Sequence, residues 1–421
     1  MRIIKWSLLI PLMIGCFGCG RVDDEGVIRV WSHQGQEAEN VAMRQIVDAF
    51  NAAHAEDGIR VEIQFFPDYQ YTERVSIAAA AGDLPDVFGL DGPTVAQFVD
   101  AGVLHPLDPY FAPAELDDFL DTIVAQGTID DTLYALGAFD SAMVLYYDRE
   151  AFAAAGVEAP AGHDAWSWDE FVAAAETLQA AGYNPVALHM DVTADEWYTY
   201  AFSPLIWSAG GDLMDVDSGT VEGVLNRPEN AAVLRRWQHL FEAGLASRSP
   251  VNPDPFGAGE TAMDWNGHWM ARSHMAALGD RLGVMPLPRT GDVLAAPCGS
   301  WCWAVSALSD RTELAVHWLR WVTDAETGIQ PIVSAGGAVP ARTSAFAFFP
   351  EYEEPPFALF RHLLETAGRP RPQTPHYPNL TQQFAAALRD IANGADPQER
   401  LDEAAAAVQR VVDRSRRGNR Q

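Results

Sequence analysis

Lysine is almost missing from this 421-residue chain: Lys5 is the only one, the other basic residues are arginines, and this usage points to no mechanism. Positive charge is scarce altogether, with 28 Lys and Arg against 58 Asp and Glu for a formal net charge of -30. Such a field repels phosphate backbones and anionic headgroups, so nucleic acid is not expected as a partner. No apolar run reaches the roughly 20 residues of a membrane-spanning helix. A P-loop, a G-x-S-x-G elbow and an H-E-x-x-H helix are also missing, and the 11 histidines are scattered. Nucleophilic and metal catalysis therefore lack their usual signatures, and neither metal nor cofactor is expected. Gly257-Ala258-Gly259-Glu260-Thr261-Ala262 matches the dinucleotide pattern G-x-G-x-x-A but fails on context. Pro250 to Pro255 stand where a strand is required, and an extended Ala262 to Asn266 follows in place of a helix. Carboxylate pairs for glycoside hydrolysis stay open, because their diagnostic separation is spatial. What is present, 48% hydrophobic and 20% charged side chains, describes a globular protein of two domains or one large one.

The four cysteines fall into two pairs. Two positive charges in Met1 to Lys5, an apolar run from Trp6 to Ile14, and Gly15, Gly18 and Gly20 around Cys16 and Cys19 form a secretory signal. Leu12-Met13-Ile14-Gly15-Cys16 resembles the lipobox of bacterial lipoproteins, whose cysteine is acylated and becomes the first mature residue. Cys19, after Gly18, is the alternative, and an ordinary cleaved signal is the competing reading. Residues 1–18 thus read as signal peptide with lipobox and 19–26 as a tether. Export implies an oxidising compartment, so Cys298 and Cys302 read as a small disulfide loop rather than a metal half-site. Two buried reduced thiols are the competing reading.

Strand and helix alternate at the start. Val27 to Trp31 reads as a strand, Met43, Ile46, Val47 and Phe50 recur at helical spacing, and Val61 to Phe65 alternates as a strand. Tyr71 to Ala81 then reads as a helix stopped by Gly82, with Pro85 to Phe88 a third strand. That order predicts an α/β fold with right-handed crossovers into a mainly parallel sheet. Past residue 140 the texture is more helical. Ser167 with Glu170, and Asn226 with Glu229, form capping-box patterns ahead of apolar stripes. Gly283 to Leu287 and Trp303 to Ser306 read as strands, and Thr312 to Trp321 as a helix.

Tryptophan stands out by its company: Trp31-Ser32-His33, Trp207 to Asp212, Asp264-Trp265-Asn266-Gly267-His268-Trp269, and Gly299-Ser300-Trp301. A pyranose packs its C–H face on an indole and turns its hydroxyls to acceptors and donors, so Trp beside Asp or Asn meets both demands. Trp237, Trp318 and Trp321 lie at helical spacing among leucines and valines and read as core. Trp207, Trp265 and Trp301, with Gly-rich neighbours, read as stacking surfaces on loops at strand ends.

Several ordered segments together resemble extracellular solute-binding protein family 1, the carbohydrate-binding lipoproteins of ABC importers, similar in plan to maltose-binding protein. They are Ala80 to Phe88, Tyr134 to Gly137 leading into Leu145 to Asp148, Phe256 to Met263 with Gly267 and Trp269, and Val339 to Arg342. The resemblance runs from about Val27 to about Val411. It implies a two-domain periplasmic-binding-protein fold with hinge-linked lobes: 27–138 plus 288–338 as lobe one, 141–285 plus 343–421 as lobe two. Crossings would fall near Gly137 to Ser141, Met285 to Pro288 and Ala338 to Arg342. The cleft residues carried over are His33, Glu37, Asp91, Asp140, Trp207, Gly210, Asp212, Trp265, Asn266, Trp301 and Arg342. Glu37 equally suits a helix cap, Asp91 a turn with Gly92, and Arg342 a structural ion pair. The Cys298 and Cys302 pair departs from the commoner family pattern. The implied function is a monomeric periplasmic or cell-surface protein, anchored by an N-terminal lipid, that delivers a sugar or oligosaccharide to ABC permease subunits without turning it over. A secreted carbohydrate-active enzyme, or the same fold binding a cationic amine, are the rivals.

Overall fold

The computed structural model describes residues 25–249 and 252–418; Cys16, Cys19 and the lipobox lie outside them. The first unit opens with β1 (Val27–Gln34), α1 (Glu37–Ala53), β2 (Arg60–Pro67), α2 (Asp68–Ala81) and β3 (Val87–Asp91). Both neighbours of β1 are parallel to it, as right-handed βαβ units require. β4 (Ala135–Gly137) then leads through β5 (Phe139–Asp140) to β6 (Met143–Asp148), the first strand of a second sheet. Here follow α3 (Trp168–Ala180), β7 (Asn184–Ala187), α4 (Asp195–Ser208), α5 (Pro228–Glu242), β8 (Thr261–Gly267) and β9 (Leu282–Met285). β10 (Ala296–Cys298) brings the chain back to β11 (Trp301–Val305) in the first sheet. After α6 (Thr312–Val322), β12 (Val339–Pro340) crosses again to α7 (Phe357–Ala367), β13 (Gly368–Pro370), α8 (Tyr377–Ala392) and α9 (Pro397–Gly418).

The first sheet has order β2-β1-β3-β11-β4 and the second β9-β6-β8-β7. The expected parallel pairing holds for β1 with β2 and β3 in the first sheet and for β7 with β8 in the second. β11, which the chain enters from the crossing segment β10, is antiparallel to both its neighbours, and within the second sheet β6 is antiparallel to β8 and β9. Both sheets are covered on two faces. In β6 this shows residue by residue: Met143, Leu145 and Tyr147 enter the core under α3, α4, α5, α8 and α9, whereas Val144 and Tyr146 enter the core that includes Phe357 and Phe360 of α7. The two crossing pairs, β5 with β12 and β10 with β13, lie between the sheets.

Two local expectations change. Ser167 and Glu170 form the capping box, but Asn226 does not cap α5: its Oδ1 accepts from Gly223 N at 2.7 Å, its Nδ2 donates to Asp402, and Arg227 takes the cap position before Pro228. Cys298 and Cys302 are not bridged; both are free and buried. Cys298 packs with Phe360 and Val339 beside the crossings, Cys302 with Phe66, Phe88 and Val95 on another core, so the thiols enter different apolar clusters. Without a bonding partner, burial raises both thiol pKa values.

Candidate ligand-binding cleft

A cavity of about 610 Å³ opens between the two sheets. One wall is built from strand ends: His33 and Gln34 on β1, Asp91 on β3 and Trp301 on β11. Strand termini are where an α/β sheet offers side chains free of the core. The opposite wall comes from two helix N-termini, Asp195, Glu196 and Trp197 in the first turn of α4 and Tyr377 and Pro378 opening α8, with Trp269 beyond the end of β8. Ser141, Gly299 and Ser300 floor it at the crossings. Gly299 has φ 129°, a conformation that side-chain-bearing residues rarely adopt, and a Cβ there would stand 2.8 Å from Arg371 Nη2.

Arg371 is the electrostatic centre. Its Nη1 and Nη2 donate to Asp91 Oδ2 and Oδ1 at 2.9 and 2.8 Å, and Nη1 also reaches Glu196 Oε1. The network joins the two walls, since Asp91 ends a first-sheet strand and Glu196 begins a second-unit helix. Tyr377 Oη donates to the Glu196 carboxylate at 2.5 and 2.7 Å. Burial raises the Glu196 carboxyl, the Arg371 charge opposes this, Asp91 adds to it, and the result lies at about 7. Burial lowers His33 and His268 to about 3, so both rings are neutral. The aromatic wall consists of Trp197, Trp269 and Tyr200, with Trp269 at 6.4 Å from Trp197 and 6.0 Å from Tyr200. Gly267 lets the Trp269 ring fold back over its strand, because a Cβ there would lie 2.2 Å from the indole. On the opposite wall Trp301 stacks on His33 at 3.6 Å.

Of the residues expected at the cleft, His33, Asp91 and Trp301 line it together. Asp140 lies just beneath, fully buried, with Oδ1 accepting from Ser141 N and Gly299 N at 2.8 and 2.9 Å, so it shapes the floor without facing the cavity. The stacking expectation is corrected for Trp207 and Trp265, each 1% exposed. Trp265 sits mid-strand with Nε1 donating to Ala201 O at 3.0 Å. Trp207 closes α4 and donates to Asp212, which pairs with Arg369 at 2.5 Å. Gly210 merely turns the chain after α4 at φ 76°. Asn266 is tied to Asp264 and His189 at 3.2 and 3.1 Å. Glu37 is exposed, and the N-terminal contact of α1 is made by Glu39, which accepts from Gln36 N at 3.0 Å and does line the cavity. Arg342 pairs with Asp118 at 3.4 Å and covers the Phe119 ring, the structural role weighed against ligand binding. Glu196, Trp197, Tyr200, Trp269, Arg371 and Tyr377 were not foreseen. Trp269 alone had a signal, since it follows the Gly267 that ends an extended run.

Known proteins are similar throughout. A Brucella abortus relative is 23% identical over 248 residues, 58% of this chain and 57% of its own length, so the chain spans little more than half of that relative. The maltodextrin-binding protein of Bacillus subtilis is 22% identical over 353 residues, 80% of each chain. Among solved structures, the GacH receptor of Streptomyces glaucescens, determined unliganded and with acarbose, superposes with TM-score 0.78 at 23% identity over 92% of this chain and 98% of its own. The cyclic α-maltosyl-1,6-maltose binding protein of Arthrobacter globiformis does so with TM-score 0.77 at 25% identity, covering 91% and 98%. These likenesses establish the two-lobe periplasmic-binding-protein fold. Residues 34–329 match the family model of the bacterial extracellular solute-binding proteins, and the chain belongs to that family.

Proposed function

We propose that this chain captures a sugar or oligosaccharide between the two lobes given above and delivers it to the permease of an ABC importer, held at the membrane by an acyl chain on Cys16 or, alternatively, Cys19. The observation that carries the reading is the cavity itself: indole rings on both walls, Trp301 against Trp197 and Trp269, with carboxylates and hydroxyls between them. Ring faces accept a pyranose, and the polar groups answer its hydroxyls. The Bacillus maltodextrin-binding relative supports the same ligand class. In this reading the protein acts as a monomer and leaves its ligand intact, as a binding protein of its family would. A thermal-shift screen over a mono- and oligosaccharide panel, followed by product analysis, tests this. A sugar that raises Tm and is recovered unchanged is the expected result; a panel with no stabilising sugar, or one that is cleaved, overturns it. Anchoring is read separately, by partition with bacterial membranes and mass spectrometry of the first mature residue.

A further inference from the structure

The cleft holds more carboxyl groups than a neutral sugar answers. Its lining carboxylates are Glu39, Glu73, Asp91, Asp195 and Glu196, and its lining arginine is Arg371. Arg371 is bidentate on Asp91, and Arg389 pairs with Asp195 at 2.8 Å. Among the described residues Glu196 has as cationic partner a shared Nη1 of that arginine, with Tyr377 Oη as a neutral donor, and its side chain is 30% exposed. The rings of Trp197, Tyr200, Trp269 and Tyr377 line the same wall.

We propose that the ligand is a saccharide bearing a basic nitrogen and that Glu196 selects it. This rests on the sugar-binding reading above and narrows it. An ammonium held against ring faces gains from their quadrupoles, and against a carboxylate it forms a charge-assisted hydrogen bond. Independently of the charges, the floor presents unanswered polar groups. Ser300 and His268, 4% and 2% exposed, line the cavity, and Ser300 Oγ and both His268 ring nitrogens have no hydrogen-bond partner among the described residues. Buried polar atoms left open within a cavity are sites a polar ligand completes, and the neutral imidazole supplies an acceptor for an N–H or O–H. The groups facing Glu196 are Asp91 from β3, Arg371 after β13 and Tyr377 from α8, with the Asp195 and Arg389 pair on α4 and α8 beside it and Glu39 and Glu73 elsewhere on the lining. Burial holds the Glu196 carboxyl up at about 7, so an arriving ammonium ionises it and a proton leaves.

The test is calorimetric titration of the full chain at pH 6 with maltose, maltotriose and cellobiose and with their amino-deoxy analogues at C2, C3 and C6, each in two buffers of different ionisation enthalpy. At least one analogue binds about tenfold or more tighter than its neutral parent, the worth of one hydrogen bond to a charged group, with proton release. In Glu196→Gln the ratio of the two affinities falls toward one and proton release disappears. Neutral sugars that bind while every amine binds no better overturn this inference and leave the sugar reading standing, as does a preference that survives Glu196→Gln. If neither parents nor analogues bind, the sugar reading itself falls, and this inference with it.

Discussion

Replacing Trp265 with alanine separates a core tryptophan from a cleft one. The ring is 1% exposed, lies near Phe171 and Phe202 at 6.4 and 6.1 Å, and donates to Ala201 O in α4. Truncation removes a large apolar surface and leaves a void, which costs about 3–5 kcal/mol for tryptophan. Leaving a buried carbonyl without its donor adds about 1 kcal/mol. At roughly 2–4 °C per kcal/mol for a cooperative unit of about 150–250 residues, the Tm of the unit that holds Trp265 should fall by about 8–24 °C in the ligand-free protein. Protein that stays folded at low temperature should still bind sugar, because the ring does not line the cavity. Trp269→Ala should do the opposite, weakening binding by about 1–3 kcal/mol with a much smaller change in melting. Differential scanning calorimetry and titration calorimetry on both variants read the two effects. Trp265→Ala that melts normally and loses its ligand would refute the assignment of this ring to the core.

Asp140→Ala should destabilise by about 2–4 kcal/mol in urea unfolding, since Ser141 N and Gly299 N lose their buried acceptor, whereas Asp140→Asn keeps Oδ1 and should stay within about 1 kcal/mol. Cys298 and Cys302 should resist alkylation in folded protein and react once it is unfolded; a bridged mass in unreduced material contradicts their packing in separate clusters. Burial disfavours the charged form of His189, but its contact with Asp264 at 2.5 Å outweighs this and raises its pKa above 6.5. A raised folded-state pKa means stability that is present below pH 6.5 and lost as pH climbs through the raised value. Wild type should therefore lose Tm relative to His189→Gln as pH increases across that window; parallel melting curves at all pH values would remove the charged pair from the account.

What could be read in advance follows from how the chain meets its sheets. Strand ends are free of the core, and His33, Asp91 and Trp301, carried over from the family resemblance, stand at such ends and line the cavity, whereas Glu37 does not. Within strands that freedom is lost, because both faces of the second sheet are covered: Trp265 and its strand neighbours are buried whichever way they point. Polar company on either side of Trp265 therefore reflected a buried network, Asp264 with His189 and His274, and not a surface. Glu196 and Arg371 had no local signal at all. Their pairing closes across 175 residues, and the Asp91 pairing across 280, so nothing within a sequence window marks them. The two cysteines show the same limit, since spacing does not reveal which core each thiol enters.

The most direct measurement is a crystal structure of the protein grown with the sugar that stabilises it most. The account predicts electron density for that sugar between Trp301 on one wall and Trp197 and Trp269 on the other, with hydroxyl or amine contacts to Asp91, Glu196 or Ser300. A sugar bound elsewhere, with this cavity holding only solvent, would contradict it.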